Sequence, residues 1–439
     1  MYSTLSIGEK IRYVRELKGL SLENISNAIN KNISTISRFE RGELEFSAET
    51  LAQIKEILEI EKAPLFEHEL KLYRGRMDVW NELSSTNRLV EAEAMREEMS
   101  VILELPFEHD LYLLYLMIEA ELLGRESNFS TLEKNLIAAE SLLDNASNEA
   151  LIIYYRHKGT LCSVAGDCKN GLKYSLKSLS YTDDEREQAP STLFNISKSY
   201  IALGKPNKAI KYLELTKMNY KGNITESGRG RIALMLGICY WTMHEYSEAA
   251  KAFETALTHA RSLNDEYSIG IILCNMSRLK LGVGEYEESI RLCDQALVYQ
   301  QQQGHRDAYV FTLINKLYSL LAMKEYDKCR DVLKHGKTVL QEGEPDRLGP
   351  SVNGDDLAHI LEAIGHLMSL DNNDSVNYIQ NIAIPHLRIG GMAKFEALIL
   401  CNHLEAHFTK KRAKTKANAI AAISRDIYRE IYEGEIEFE

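Results

Sequence analysis

The chain has 439 residues, 45% of them hydrophobic, and a formal charge of −12. That length and apolar content allow several cores in series and exclude a disordered chain. The acidity excludes non-specific coating of DNA or RNA by the whole molecule, although one small basic face can sit on an acidic body. The first eight residues carry no basic stretch followed by an apolar core. No apolar run approaches the roughly 20 residues that span a bilayer, so a soluble, cytoplasmic protein is expected. Seven scattered cysteines without a C-x-x-C pair read as reduced core residues. Seven prolines leave few helix breaks and strand-like alternation is scarce, so the expected fold class is all-α.

In chain order, a first helix runs from Ile7 to Gly19, with Ile7, Ile11, Val14 and Leu17 or Lys18 on one stripe and Lys10, Arg12 and Arg15 around it. Gly19 ends it. Ser21 caps a short second helix from Leu22 to Ile29, with Ile25, Ala28 and Ile29 inward. Asn30 stands where a tight turn needs a residue tolerant of left-handed backbone, and Asn32 is placed to cap a third helix from Ile33 to Arg41. Ser47 caps a fourth, carrying Leu51, Ile54, Ile57 and Leu58.

The run Ile11-Arg12-x-x-Arg15-x-x-x-Gly19-Leu20-Ser21, then Ile25, then Ile36-Ser37-Arg38-Phe39-Glu40-Arg41-Gly42 resembles the Xre/Cro/repressor helix-turn-helix family without a gap. The resemblance implies a third helix in the major groove of double-stranded DNA, with Ile33, Ser34, Ser37 and Arg38 at base edges. Arg38 suits a guanine and Ile33 a thymine methyl group. Thr35, Arg41, Arg12 and Lys10 are expected at the sugar-phosphate backbone. Ile36 and Phe39 belong to the core, and Arg15 with Glu40 resembles the family's internal ion pair. Two positions depart: Leu22 replaces the family's usual phosphate-contacting Gln, and Asn30 its usual Gly. One head touches few base pairs, so a homodimer on an inverted-repeat operator is expected.

Pro64 marks the end of this domain, giving expected divisions of 1–63 for the head, 64–432 for a helical body and 433–439 for an acidic tail. The body repeats. Leu236-Gly237-x-x-Tyr240 followed by Tyr246, Ala249, Phe253 and Ala256 has the large, small and aromatic positions of a tetratricopeptide hairpin. Small residues at Gly171, Ala209, Ala249, Ser289 and Cys329 recur every ~40 residues, longer than the usual repeat. Five clear units and three or four degenerate ones, including one around Asn81 to Met99 and two beyond Leu357, are expected to stack into a right-handed tetratricopeptide-like α-solenoid. Gly343 to Gly354 reads as a longer loop between repeats.

Counted from the small residues, one first-helix position is filled by Asn195, Asn275 and Asn315, with Met235 breaking the series. An amide donates to and accepts from peptide backbone, so Asn at repeat spacing suits an extended peptide; an Asn bonded to a neighbouring helix is the alternative. Lys198, Arg231 and Arg278 beside them could take carboxylates, and Tyr318 an apolar side chain. Arg156 and His157 are weaker candidates and Trp241 reads as structural.

An Xre-type head on a solenoid of long hairpins resembles the RRNPP family of peptide-sensing regulators of Gram-positive bacteria. The resemblance implies a quorum-sensing transcriptional regulator whose DNA binding is controlled by a short signalling peptide on the inner face of the repeats, gripped by Asn195, Asn275 and Asn315. Two alternatives stand beside it: a solenoid that binds a protein such as a response regulator, or one that only dimerises a constitutive repressor. No enzyme, cofactor or metal site is expected. His403-x-x-x-His407 has metal spacing, but its Glu405 is not where a zinc-protease helix carries the acid, and an exposed histidine pair is the better account. Gly228-Arg229-Gly230-Arg231 is too short for a phosphate loop, and Lys410, Lys411, Arg412, Lys414 and Lys416 read as a solvated edge.

Overall fold

Four short helices open the chain: α1 (Ile7–Leu17), α2 (Leu22–Ala28), α3 (Ile33–Glu40) and α4 (Ala48–Ile57). The computed structural model describes residues 5–61, 65–85, 88–104, 108–125, 129–182, 189–220, 224–303, 306–343 and 352–432. Ser6 and Glu9 start α1 with a capping box, the Ser6 hydroxyl accepting from the Glu9 N–H at 3.2 Å and the Glu9 carboxylate from the Ser6 N–H at 2.7 Å. Ser21 and Asn24 repeat the device on α2. Asn30 has φ 52°, the left-handed backbone its position demands. Asn32 occupies the N-cap of α3 but its side chain makes no capping bond. The turn is held instead by the Ser26 hydroxyl, which donates to the Lys31 carbonyl at 2.5 Å.

Leu17 and Ala28, expected inward, face outward, Leu17 with 63% exposure. Each follows a core residue, Val14 or Ile25, by three positions; at about 3.6 residues per turn that is the edge of the stripe. Gly8 brings α1 onto α3: a Cβ there would lie 1.8 Å from the Phe39 carbonyl oxygen.

The next helices are α5 (Glu67–Ser85), α6 (Leu89–Met99), α7 (His109–Arg125), α8 (Phe129–Glu140) and α9 (Asn148–Val164). Ile11, Val14, Ile36, Phe39 and Ile54 of the head belong to one apolar core with Trp80, Leu114, Tyr115 and Tyr154. The chain divides into compact units at Met1–Leu161 and Cys162–Glu439. The expected 63/64 boundary and the acidic tail 433–439 lie outside the described residues.

The second unit continues with α10 (Cys168–Leu179), α11 (Pro190–Ala202), α12 (Pro206–Asn219), α13 (Glu226–Thr242), α14 (Tyr246–Ser262), α15 (Glu266–Gly282), α16 (Tyr286–Gln303), α17 (Arg306–Ala322) and α18 (Tyr326–Glu342). Then come α19 (Gly354–Leu367), α20 (Asn373–Tyr378), a π-helical turn (Ile379–Ala383), α21 (Ile384–Ile389), α22 (Ala393–Lys410) and α23 (Lys414–Tyr432). All described regular structure is helical, and none of its helices is long and apolar enough to cross a membrane. Most of the expected Gly343 to Gly354 loop, residues 344–351, lies outside the described residues.

Antiparallel hairpins α11–α12, α13–α14, α15–α16 and α17–α18 stack in series. Gly171, Ala209, Ala249, Ser289 and Cys329 all fall in the first turns of second helices and are all buried, since only small side chains let the paired helix approach. Gly237 shows the limit, because a Cβ would lie 2.5 Å from the Phe253 ring. Gly237→Ala is expected to lower stability by about 1–3 kcal/mol through overpacking, read as a lower urea midpoint with unchanged slope. Successive first helices α11, α13, α15 and α17 touch one another while the second helices make no comparable contacts, so the first helices line the inner face.

The last hairpin, α22–α23, turns back on this stack. The Lys205 ammonium donates to the carbonyls of Glu430 at 2.6 Å and Ile431 at 2.8 Å, and the Tyr432 hydroxyl donates to the Thr242 carbonyl. Gly391 sits where a Cβ would meet the Ala202 carbonyl oxygen at 1.7 Å. Arg388 and Lys394 hold the Glu430 carboxyl below its ordinary range, chiefly through the Arg388 hydrogen bonds. A carboxyl depressed in the folded state stabilises above its unfolded pKa and loses that contribution as pH falls through the folded one. The thermal midpoint of the chain is therefore expected to fall on acidification below the ordinary carboxylate range, and Glu430→Gln to flatten part of that fall.

Candidate DNA-reading and ligand-binding faces

In the head, α3 turns Ile36, Phe39 and Glu40 inward and leaves Ile33, Ser34 and Arg38 exposed, with Thr35 and Ser37 half-buried. The buried face is fixed by charge as well as packing. Arg15 grips Glu40 through two parallel bonds, Nε to Oε1 at 2.6 Å and Nη2 to Oε2 at 2.8 Å, and donates a third to the Leu20 carbonyl at 2.7 Å. This is the internal pair the sequence implied, and it locks α1 to α3.

The outward face is basic but not wholly unopposed. Arg41 donates to the Ser37 hydroxyl and to Glu43, both at 2.6 Å, while Arg38 Nε lies 3.7 Å from Glu43. Hydrogen bonding from Arg41 holds the Glu43 carboxyl below its ordinary range, with Arg38 adding to the effect. Glu43 joins this face beyond the residues expected from sequence, and its place two residues after Arg41 is the signal that marks it. Arg12 is exposed and shares Glu16 at 2.8 Å.

Lys10 is corrected. It is only 7% exposed, donates to the Leu65 carbonyl at 3.4 Å and pairs with Glu108, so it ties the head to its own unit rather than reaching phosphate. Leu22 is half-buried and packs on the core, which explains an apolar residue where the family carries an amide. Arg38→Ala is expected to cost about 1–3 kcal/mol per half-site and to relax selectivity at one base pair, measured by fluorescence anisotropy across operator variants.

The inner face of the second unit has two halves. On α11 and α13, Asn195 and Met235 are half-buried and Lys198 and Arg231 exposed. Arg231 lies 4.7 Å over the Phe194 ring. Although Lys198 is exposed as a residue, the protein around its ammonium pushes the pKa below the usual lysine range, with repulsion from Arg231 adding to this. By chemistry alone, two cationic side chains and an amide suit an anionic, backbone-presenting ligand.

On α15 and α17 the arrangement is closed. Asn315 is fully buried, and Arg278 and Tyr318 are each 4% exposed. The Arg278 guanidinium donates to Asn315 Oδ1 at 2.9 Å and to Glu396 of α22, whose other oxygen accepts from the Tyr318 hydroxyl at 3.1 Å. Asn315 in turn donates to the Cys274 carbonyl at 3.2 Å and the Ser277 hydroxyl at 3.1 Å. Aromatic faces enclose the cation, with Trp241, Phe311 and Tyr318 centroids at 5.4, 5.4 and 5.7 Å. Arg278 Nε is buried and finds no hydrogen-bond partner among the described residues.

The expectation of an open row is thereby corrected for these three residues: all three are buried, and Glu396 of α22 bonds Arg278 and Tyr318. Asn275 is half-buried and spends its amide on the Ile271 carbonyl of its own helix at 2.8 Å. The structure brings Arg278, Asn315 and Tyr318 together and keeps half-buried Asn195 and exposed Lys198 and Arg231 apart from them, on α11 and α13. Trp241 packs on Phe395 of α22 at 6.0 Å, a structural role. His403 is exposed and His407 half-buried. The cysteines are free thiols, and burial pushes those of Cys239 and Cys293 up to about 12.

Comparison with known proteins matches residues 11–65 to a helix-turn-helix family, HTH_3, and residues 190–215 to a tetratricopeptide repeat, TPR_8. The chain is similar to the transcriptional activator NprA of Geobacillus stearothermophilus, 21% identical over 303 residues, 68% of this chain and 73% of NprA. Its fold is similar to that of a Rap protein solved in complex with the competence and sporulation factor (TM-score 0.67, 16% identity, 83% of this chain and 99% of that one). It is also similar to that of NprR solved with its cognate peptide NprX (TM-score 0.63, 18% identity, 81% of this chain and 99% of that one).

Proposed function

We propose that this chain, an RRNPP-like regulator by its helix-turn-helix head, its tetratricopeptide body and its likeness to NprA, NprR and Rap proteins, is a non-enzymatic, sequence-selective transcription factor. Its operator binding responds to a short peptide on the inner face of the second unit. One observation carries the reading: a buried guanidinium, Arg278, takes its anion from another hairpin, on the same face as half-buried Asn195 and the exposed residues Lys198 and Arg231. A peptide meets the solvent-exposed residues Lys198 and Arg231 first. Withdrawal of α22 then exposes Arg278, Asn315 and Tyr318, and a carboxylate of the peptide replaces that of Glu396. Asn275 follows when its amide leaves the Ile271 carbonyl. The two forms of α22 supply the differential affinity that any ligand-driven switch requires. Heads act in pairs on an inverted repeat, with Ile33, Ser34, Ser37 and Arg38 reading bases and Thr35, Arg41 and Arg12 holding the backbone.

Native mass spectrometry of the full chain isolated gently from its own cells tests the ligand class. A bound mass of several amino acids, lost in Asn195→Ala or Arg231→Ala, is the expected result. A bound protein partner with no peptide would replace this reading with control of a protein such as a response regulator.

A further inference from the structure

The helices that precede α22 bring together side chains that neither DNA nor peptide binding uses. Asp355 and His359 lie one turn apart on α19, and His386 reaches them from α21; one ligand-type atom from each lies within 4.8 Å of the others. His386 Nε2 is 3.5 Å from Asp355 Oδ2 and 3.1 Å from Asp356 Oδ1. The His359 and His386 rings have centroids only 4.1 Å apart. Two imidazoles at that separation, facing two carboxylates, are donors converging on one point rather than a pair of independent surface groups.

Their orientation is set from behind. His359 Nδ1 bonds the Tyr378 hydroxyl at 3.0 Å, which leaves its Nε2 as the available ligand atom. Asp356 Oδ2 accepts the Asn353 N–H at 3.3 Å in the capping box of α19, so Oδ1 is the atom turned to His386. The π-helical turn at Ile379–Ala383 carries an extra residue between Tyr378 and His386 and so sets where His386 faces α19. Asp355 is 75% exposed, so the cluster opens to solvent on one side and leaves room for a water ligand.

We propose that Asp355, His359 and His386 bind one divalent transition-metal ion of the zinc class, with Asp356 as the adjoining carboxylate. Two imidazoles and a carboxylate suit such an ion, whereas all-oxygen sites suit calcium or magnesium. The ion ties α19 to α21 immediately before Gly390, Gly391 and α22, so it stiffens the base from which α22 reaches Glu396 into the inner face. The site is independent of whether the inner face takes a peptide.

Zinc titration of the metal-stripped full chain by isothermal calorimetry tests it, with His359→Asn, His386→Asn and Tyr378→Phe in parallel and thermal midpoints in chelator as the folding check. One equivalent is expected to bind and to raise the thermal midpoint. Affinity should fall at least tenfold in each histidine variant and by a smaller factor in Tyr378→Phe. Carbethoxylation of wild-type protein, mapped by mass spectrometry, gives a readout that needs no variant: zinc should protect His359 and His386 but leave His403 reactive. No binding, binding unchanged in both histidine variants, or protection confined to other histidines would overturn the proposal.

Discussion

Arg15→Ala is expected to unfold the head and abolish operator binding. The substitution strands Glu40, 3% exposed, without the guanidinium that makes two charge-assisted bonds to it. Removing one partner of a buried pair costs about 3–5 kcal/mol, because the remaining charge keeps its desolvation penalty and loses its compensation. That is comparable to the whole stability of many domains, about 5–15 kcal/mol. The variant should show a lower first transition in thermal melts and no operator shift. The double variant Arg15→Met with Glu40→Leu removes both charges and should regain most of the stability, since apolar isosteres often replace such pairs without loss. A fully stable Arg15→Ala head would show that the pair contributes little.

The second large effect concerns Glu396. Glu396→Gln keeps shape and hydrogen-bonding capacity but leaves the Arg278 guanidinium buried without an anion. With α22 in place the stranded cation costs about 3–5 kcal/mol, which narrows the gap between the closed form and one in which α22 has lifted and water reaches Arg278. Hydrogen exchange across residues 393–410 should accelerate strongly. A peptide that binds only the detached form should bind more tightly, since a larger fraction of the chain is competent. Arg278→Met strands the buried Glu396 carboxylate instead, so it should also accelerate exchange, but it should weaken peptide binding because the cation that takes the carboxylate is gone. Opposite affinity changes in the two variants separate a ligand-mimicking contact from an ordinary structural ion pair, for which peptide affinity would follow stability alone.

Local physics made much of the fold legible. The small residues at Gly171, Ala209, Ala249, Ser289 and Cys329 mark where paired helices approach, Asn30 marks a left-handed turn, and Arg15 with Glu40 follows from the helix-turn-helix spacing. Long-range closure was not legible. Periodicity says which face of a helix is apolar but not which distant helix covers it, so the pairing of Lys10 with Glu108 and of Arg278 with Glu396, 118 positions apart, left no spacing to read. Glu396 did leave a trace: it lies on the same stripe as Ala393, Ala397, Leu400 and Leu404, and an acid on an otherwise apolar face needs a buried partner. The Asn series was legible as a register but not in its environments, because Asn315 is fully buried against α15 while Asn195 stays half-buried.

Coupling between the inner face and the head is tested most directly by one titration. Full-length protein is titrated onto its operator by fluorescence anisotropy, with and without the peptide recovered from the native complex. The operator Kd is expected to change at least tenfold with peptide in the wild type, about 1.4 kcal/mol of coupling, and to be unchanged in a folded Asn195→Ala, Arg231→Ala double variant. Identical operator affinity with and without saturating peptide in the wild type would contradict peptide control of DNA binding.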